Sequence, residues 1–326
     1  MTHHVIAREP GTSSVLQVEE KPTPNPGPRE VLIRQTAVGV NYIDIYFRTG
    51  LYKGPQFPCV LGMEGAGVVE AMGDEVHEVS VGDRVAYAGT MGAYASERLL
   101  PADRAVRLPP HIDDETAAAV MLKGMTAEYL LHRLFPVQAH HTVLFHAAAG
   151  GVGTLACQWA KRLGARVIGT VGTQQKVSQA IANGCDAVLL TSDPTWPQQV
   201  RELTQGIGVD VVYDSVGQAT FAGSLACLKP RGMAVPFGQS SGKVPPFDVT
   251  ELSAKGSLFL SRPNLADYTR TRADLEQSAT TLFAALGAKE HPLTVTIGNR
   301  FALKDTALAH DALESRKTIG STILVP

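Results

Sequence analysis

The apolar positions of this chain follow two regimes. Up to about residue 122 they come as short alternating runs: residues 31–40 (VLIRQTAVGV), then 67–70, 84–88 and 94–99. Turn formers separate these runs, among them the proline-rich 22–28, Gly50, Gly54-Pro55, Gly73-Asp74 and Gly82-Asp83. Short period-two strands between such turns predict a compact, mostly β domain. From Asp113 the spacing turns helical (DDETAAAVMLKGMTAEYLLHRLF), with Asp113 or Asp114 as the cap and Gly124 as an interruption. Strands are then expected at 142–146, 166–170, 187–190, 209–213, 233–237 and 257–261. Helices are expected near 152–163, 174–183, 197–205 and 219–228. This alternation predicts an α/β fold with a doubly wound parallel sheet. The tail carries helical patterns at 272–286 and 304–315 and a last strand at 321–325, which is expected to return to the sheet of the first domain. The first domain is then discontinuous, 1–123 with 264–326, around a second domain at 124–263.

Composition removes several function classes. The chain has 326 residues, 18% of them charged, and a net charge of −2, which gives no basic surface for nucleic acid and no polybasic membrane patch. No stretch reaches the roughly 18 apolar residues of a membrane span, and MTHHVIAREP has no signal-peptide core. Cys59, Cys157, Cys185 and Cys227 are scattered through mostly apolar stretches. That suits buried thiols in a reducing cytoplasm rather than a disulfide frame.

One stretch organises the rest: HTVLFHAAAGGVGTLACQWAKRLGARVIGTVGTQQK, residues 141–176. An apolar strand runs into a turn of small residues, then a helix with Val152, Leu155, Ala156, Trp159, Ala160 and Leu163 on one face, ended by Gly164. The turn is aimed at a helix N-terminus, whose unpaired N–H groups and partial positive charge suit a pyrophosphate. Ala148 stands where the usual G-x-G-x-x-G has its first glycine, but strand, helix and second strand all follow on schedule. An NAD site normally places an acid about 20 residues on, for the ribose 2′-hydroxyl. Here that region holds Gly172, Thr173 and Lys176, with no acid before Asp186. An ammonium attracts a 2′-phosphate that a carboxylate would repel, so NADPH is the expected cofactor.

The motifs GVNYIDIYFRTGLY, LGMEGAGVV, VGDRVAY, LKGMTAEYLL, LFHAAAGGVG, VVYDSVG and SRPNL resemble those of zeta-crystallin-like quinone oxidoreductases, the zinc-lacking branch of the medium-chain dehydrogenase/reductase superfamily. The resemblance spans the whole chain. It implies a GroES-like catalytic domain, a Rossmann domain, a cleft between them, and a homodimer built edge to edge through the last Rossmann strand, residues 257–261. It also implies cofactor contacts from Asn41, Asp44, Lys123, Thr126, Tyr129, Gly150, Gly151, Val152, Gly172, Thr173 and Lys176. Further contacts are implied from Ser215, Val216, Phe237, Gly238, Gln239, Ser240 and Arg316.

Zinc-containing relatives ligate their metal through a Cys and a His at the positions of Asn41 and Met63, so no metal is expected here. What remains is delivery of a hydride, or of single electrons, from a nicotinamide to an electron-poor acceptor such as a quinone. Asn41, Tyr46, Tyr52 and Arg262 are the candidate donors to the charge that develops on that acceptor. Asp44 reads as an orienting group, because nothing near it in sequence raises its pKa. An alkenal or enone reductase is the alternative within this chemistry. A non-enzymatic NADPH-binding protein, structural or RNA-binding, would want a basic groove with exposed aromatics, and the 6% aromatic content lends it no support.

Overall fold

The computed structural model describes residues 2–54 and 56–326, so the expected turn at Gly54-Pro55 lies partly outside the described residues. The chain divides into two compact units, residues up to Met125 with Thr269–Pro326, and Thr126–Tyr268.

The second unit holds a six-stranded sheet paired in parallel throughout. Across the sheet the strands run Ala187–Leu190, Arg166–Val171, Thr142–Phe145, Val209–Asp214, Leu228–Pro236 and Phe259–Leu260. The order reverses between Thr142–Phe145 and Val209–Asp214, and the carboxyl ends of strands at such a reversal are where α/β sheets bind ligands. Strands of this kind are covered on both faces, which is why they read as continuous apolar runs rather than alternating ones. Val143, Leu144, Phe145, Val211, Val212 and Tyr213 are all buried. The helix Gly151–Arg162 turns Leu155, Ala156, Trp159 and Ala160 inward and stops before Gly164, whose φ of 84° only glycine takes at no cost. The helix expected at 174–183 is shorter, one 3₁₀ turn at Gln174–Lys176 followed by Val177–Ala182. Of the strand expected at 257–261 only Phe259–Leu260 pairs, along the sheet's outer edge.

The first unit is mostly β. Its larger sheet runs Ile297–Ala302, Ser321–Val325, Glu30–Val40, Glu64–Met72, Arg84–Ala88 and Val106–Arg107, with Glu97–Pro101 also paired to Glu30–Val40. A smaller sheet joins Leu16–Lys21, Thr2–Ala7 and Cys59–Val60. The C-terminal strand lies antiparallel to Glu30–Val40, Thr322 opposite Val40. Tyr94 falls outside the strand expected at 94–99: it is fully buried, and its N–H donates to the Leu61 carbonyl. The helix Asp114–Glu128 is capped by Asp113, whose Oδ1 accepts the Thr116 N–H at 2.7 Å. It runs unbroken through Gly124. A Cβ there would stand 2.5 Å from Leu282 Cδ1, so this glycine admits the neighbouring helix Arg272–Leu286 instead of ending its own.

Candidate functional site

In the second unit the small-residue turn links the buried strand end at Phe145 to the helix Gly151–Arg162. Ala147 takes a left-handed φ of 55°, and its carbonyl accepts the Gly150 N–H at 2.8 Å. A Cβ on Gly153 would stand 2.3 Å from that same carbonyl, so the turn closes only around glycine. Gly150 is the N-cap, and no side-chain hydrogen bond caps the helix. The backbone at Gly151 and Val152 therefore offers the anion-binding geometry that the sequence suggested. Gly172 has open space where a Cβ would be, and Thr173 and the half-buried Lys176 follow it. Burial holds the Lys176 ammonium below its ordinary pKa. These residues fit a dinucleotide carrying a 2′-phosphate.

Two further loops are laced together at the carboxyl ends of neighbouring strands. The Asp214 carbonyl accepts N–H bonds from Phe237 and Gly238, the Ser215 carbonyl one from Ser240, and the Val216 carbonyl one from Ser241. Ser215, Val216 and Phe237 to Ser240 thus form one backbone platform, with Gln239 in its turn. A Cβ on Gly238 would press to 2.7 Å of the Ser215 carbonyl. Tyr129 is buried and stacks on Tyr268, 4.3 Å between centroids and 11° between planes, while Thr126 is buried in the helix before it. Arg262 is exposed just beyond the edge strand.

The first unit gathers Asn41, Asp44, Lys123 and Glu64 into one buried cluster. Glu64 is fully buried; its Oε2 accepts Asn41 Nδ2 at 2.8 Å and Lys123 Nζ at 3.0 Å, and its Oε1 accepts the Leu122 N–H at 2.7 Å. A carboxylate so deep persists only with such a full set of donors. Gly39 makes room for it, since a Cβ there would sit 2.3 Å from both Glu64 Oε2 and the Ala118 carbonyl. Tyr46 and Tyr52 pack together on the short helix Tyr42–Arg48 and the loop after it, ring centroids 4.9 Å apart. Arg316 is exposed in a left-handed turn after the helix Thr306–Glu314, and its N–H bonds the Leu313 carbonyl, which the Tyr42 hydroxyl also reaches at 2.8 Å.

Asp44 needs a correction. Nothing near it in sequence accounts for a raised pKa, yet the structure buries this carboxyl completely and pushes its pKa up to about 7. Desolvation is the main cause; the Asn41 N–H, the Tyr94 hydroxyl and Lys123 oppose it. The Asn41 N–H donates to Asp44 Oδ2 at 2.8 Å, one half of a capping box that starts the helix Tyr42–Arg48. Tyr94 Oη contacts the same oxygen at 2.9 Å and His310 Nε2 at 2.8 Å. On the far side of His310, Nδ1 lies 3.1 Å from a guanidinium nitrogen of buried Arg48, which also holds Glu314. Nothing local in the sequence marks Tyr94, Arg48 and His310 as members of this cluster. Their partners lie far away along the chain, His310 being 262 positions from Arg48.

A family model for the GroES-like domain of alcohol dehydrogenases matches residues 27–133, and one described as zinc-binding dehydrogenase matches 151–277. A quinone oxidoreductase of Pseudomonas aeruginosa is 47% identical over 97% of both chains. The chain belongs to the quinone oxidoreductase family. A 2-haloacrylate reductase from a Burkholderia species is 43% identical over 94% of both chains. The crystal structure of the Escherichia coli quinone oxidoreductase complexed with NADPH superposes with a TM-score of 0.96, at 43% identity over 100% of both chains. As in this family generally, the fold joins a GroES-like part to a Rossmann-like sheet. The zinc in the second model's description does not fit these residues. Asn41 is spent on Glu64, Met63 is a thioether, and among the described residues no three His, Cys, Asp or Glu side chains converge on a metal position.

Proposed function

We propose that this chain is an NADPH-dependent quinone reductase that works without a metal. The observation that carries the reading is the uncapped helix N-terminus behind Ala147–Gly150, followed by a strand end with Lys176 and no acid. When bound, NADPH supplies a hydride to an electron-poor acceptor. The chain's own part is binding and positioning. Gly150, Gly151 and Val152 take the pyrophosphate, and Gly172, Thr173 and Lys176 the 2′-phosphate. Ser215, Val216, Phe237, Gly238, Gln239 and Ser240 support the nicotinamide end, with Lys123, Thr126, Tyr129 and Arg316 as further contacts. Asn41, Tyr46, Tyr52 and Arg262 stabilise the charge that develops on the acceptor oxygen. Asp44 acts through Asn41, whose N–H it holds, rather than by touching the acceptor. Residues 1–123 with 264–326 form the catalytic part, and 124–263 the cofactor-binding part.

We further propose a homodimer. Phe259 and Leu260 form the outer strand of the six-stranded sheet and are 57% and 37% exposed, an apolar edge that pairing with a second copy covers. No helix of the described residues is long and apolar enough to cross a membrane, and the cytoplasm is the proposed location.

The deciding experiment follows oxidation of NADPH by purified protein in EDTA, with a benzoquinone or an alkenal as acceptor. Turnover with the quinone supports the proposal. The similarity to a 2-haloacrylate reductase favours a second reading, reduction of a conjugated alkene, and turnover with the alkenal alone would replace the first reading by that one. Oxidation of NADPH with neither acceptor would leave both without support.

A further inference from the structure

We propose that His146, Ser224 and Asp214 form a buried link that locks the phosphate-binding turn to the Val216–Gly217 turn, and that this link sets the affinity for NADPH. The inference rests on the NADPH reading above.

His146 directly follows the strand Thr142–Phe145, at the start of the turn, and is fully buried. Its Nδ1 lies 2.8 Å from Thr170 Oγ1 and its Nε2 3.0 Å from Ser224 Oγ. Ser224 has two other neighbours, Asp214 Oδ2 at 3.0 Å and the Thr220 carbonyl at 2.9 Å, and both can only accept. The serine hydrogen goes to one of them, so Ser224 Oγ accepts from His146. His146 is then the neutral Nε2–H tautomer, and Thr170 donates to Nδ1. Burial, which lowers the His146 pKa, agrees with a neutral ring. Hydrogen-bond directions are thus fixed from Thr170 through His146 and Ser224.

At its other end the link holds what the cofactor meets. Asp214 Oδ1 accepts the N–H groups of Val216 at 2.8 Å and Gly217 at 3.0 Å, and Thr220 Oγ1 reaches both carboxylate oxygens. The Asp214 carbonyl ties down Phe237 and Gly238. At the near end, the residue after His146 is Ala147, held in a left-handed conformation that alanine avoids. Such a conformation persists only where its surroundings over-determine it. Two bonds to one residue do so here: the His146 ring to the Thr170 side chain, and the Ala148 N–H to the Thr170 carbonyl at 3.0 Å. Cutting the link frees Ala147 to relax, and the N–H groups at Gly151 and Val152 lose their common aim.

The plain alternative is a core histidine that contributes only stability. Ser224→Ala removes the middle of the link with the loss of one atom, and His146→Gln keeps a donor and an acceptor at the end of a similar reach. The NADPH dissociation constant is measured by titration calorimetry without acceptor, alongside the thermal melt of each apo protein and the KM for NADPH and for quinone. Ser224→Ala is expected to weaken NADPH binding about tenfold. The NADPH KM rises with it, the quinone KM does not, and His146→Gln binds more tightly than His146→Leu. If Ser224→Ala and His146→Leu melt lower yet bind NADPH as the parent does, the link is structural and the proposal is wrong. A parent chain that does not bind NADPH overturns the function reading itself, so the two failures are told apart.

Discussion

Tyr94 donates its hydroxyl hydrogen to Asp44, and the direction of that bond is set by groups behind it. A guanidinium only donates, so Arg48 makes His310 Nδ1 an acceptor. Burial, with Arg48 alongside, lowers the His310 pKa to about 3, so its ring is neutral and the hydrogen sits on Nε2, pointing at Tyr94 Oη. Tyr94 is left to donate to Asp44 Oδ2, which also takes the Asn41 N–H. Asp44 Oδ1 is buried without a partner, and it is the oxygen that carries the proton when the carboxyl is neutral.

Asp44 therefore makes stability fall as pH rises. Its carboxyl titrates near 3.8 when unfolded and at about 7 when folded. The stabilisation by proton binding is fully present below pH 4 and is lost as pH climbs through 7. Lys123 and Glu64, which face it, act in opposite directions. Asp44→Asn is neutral at every pH, so its stability relative to the parent should grow by about 3 kcal/mol between pH 5 and pH 8. Urea unfolding at both pH values reads this, and a difference independent of pH would refute the raised pKa.

Lys176→Ala should raise the NADPH KM about tenfold and leave the NADH KM nearly unchanged, because only the charge-assisted contact to the 2′-phosphate is removed. Equal losses with the two cofactors would show that Lys176 does not read the phosphate.

Ala147→Gly should stabilise the apo protein by about 0.5–1 kcal/mol, since glycine takes a φ of 55° without the steric penalty that alanine carries. A denaturation midpoint lower than the parent's would mean that this turn is not strained.

If the proposed dimer pairs through this edge, replacing both Phe259 and Leu260 by aspartate should give a monomer in sedimentation equilibrium where the parent is dimeric, because charges on facing edges repel. A parent that sediments as a monomer, or a variant that stays dimeric, would remove the edge strand from the proposed interface.

The fold was largely legible because parallel strands buried on both faces announce themselves as apolar runs; Thr142–Phe145 and Val209–Asp214 lie close to where their runs place them. Ile297–Ala302 is not legible: it is a sheet-edge strand whose inward positions are only half-buried and include Asn299, so its alternation carries little apolar signal. Thr2–Ala7 was hidden by two histidines and a threonine at its start. In the site, residue types and spacing are enough to nominate the glycine turn and Lys176, while Asn41 is nominated by the family resemblance. Burial was not readable. Asp44 lies in a sequence neighbourhood with nothing to shift it; its burial, and its partner Tyr94 50 positions along the chain, come only with the tertiary fold. The same holds for His146, whose ring is satisfied by Thr170 and Ser224 on other elements.

The strand Ser321–Val325 completes the sheet around Glu30–Val40. During synthesis the segment Thr126–Tyr268, contiguous in sequence, can emerge and fold as a unit while the β unit still lacks its closing strand. Until Ser321–Val325 has emerged, Val38 to Val40 lack their partner strand and stand as an open edge, the kind of surface that invites wrong partners. Order of manufacture is thereby written into the topology: the nucleotide half is fully synthesised first, and the half that carries Asn41 waits for a strand made after it.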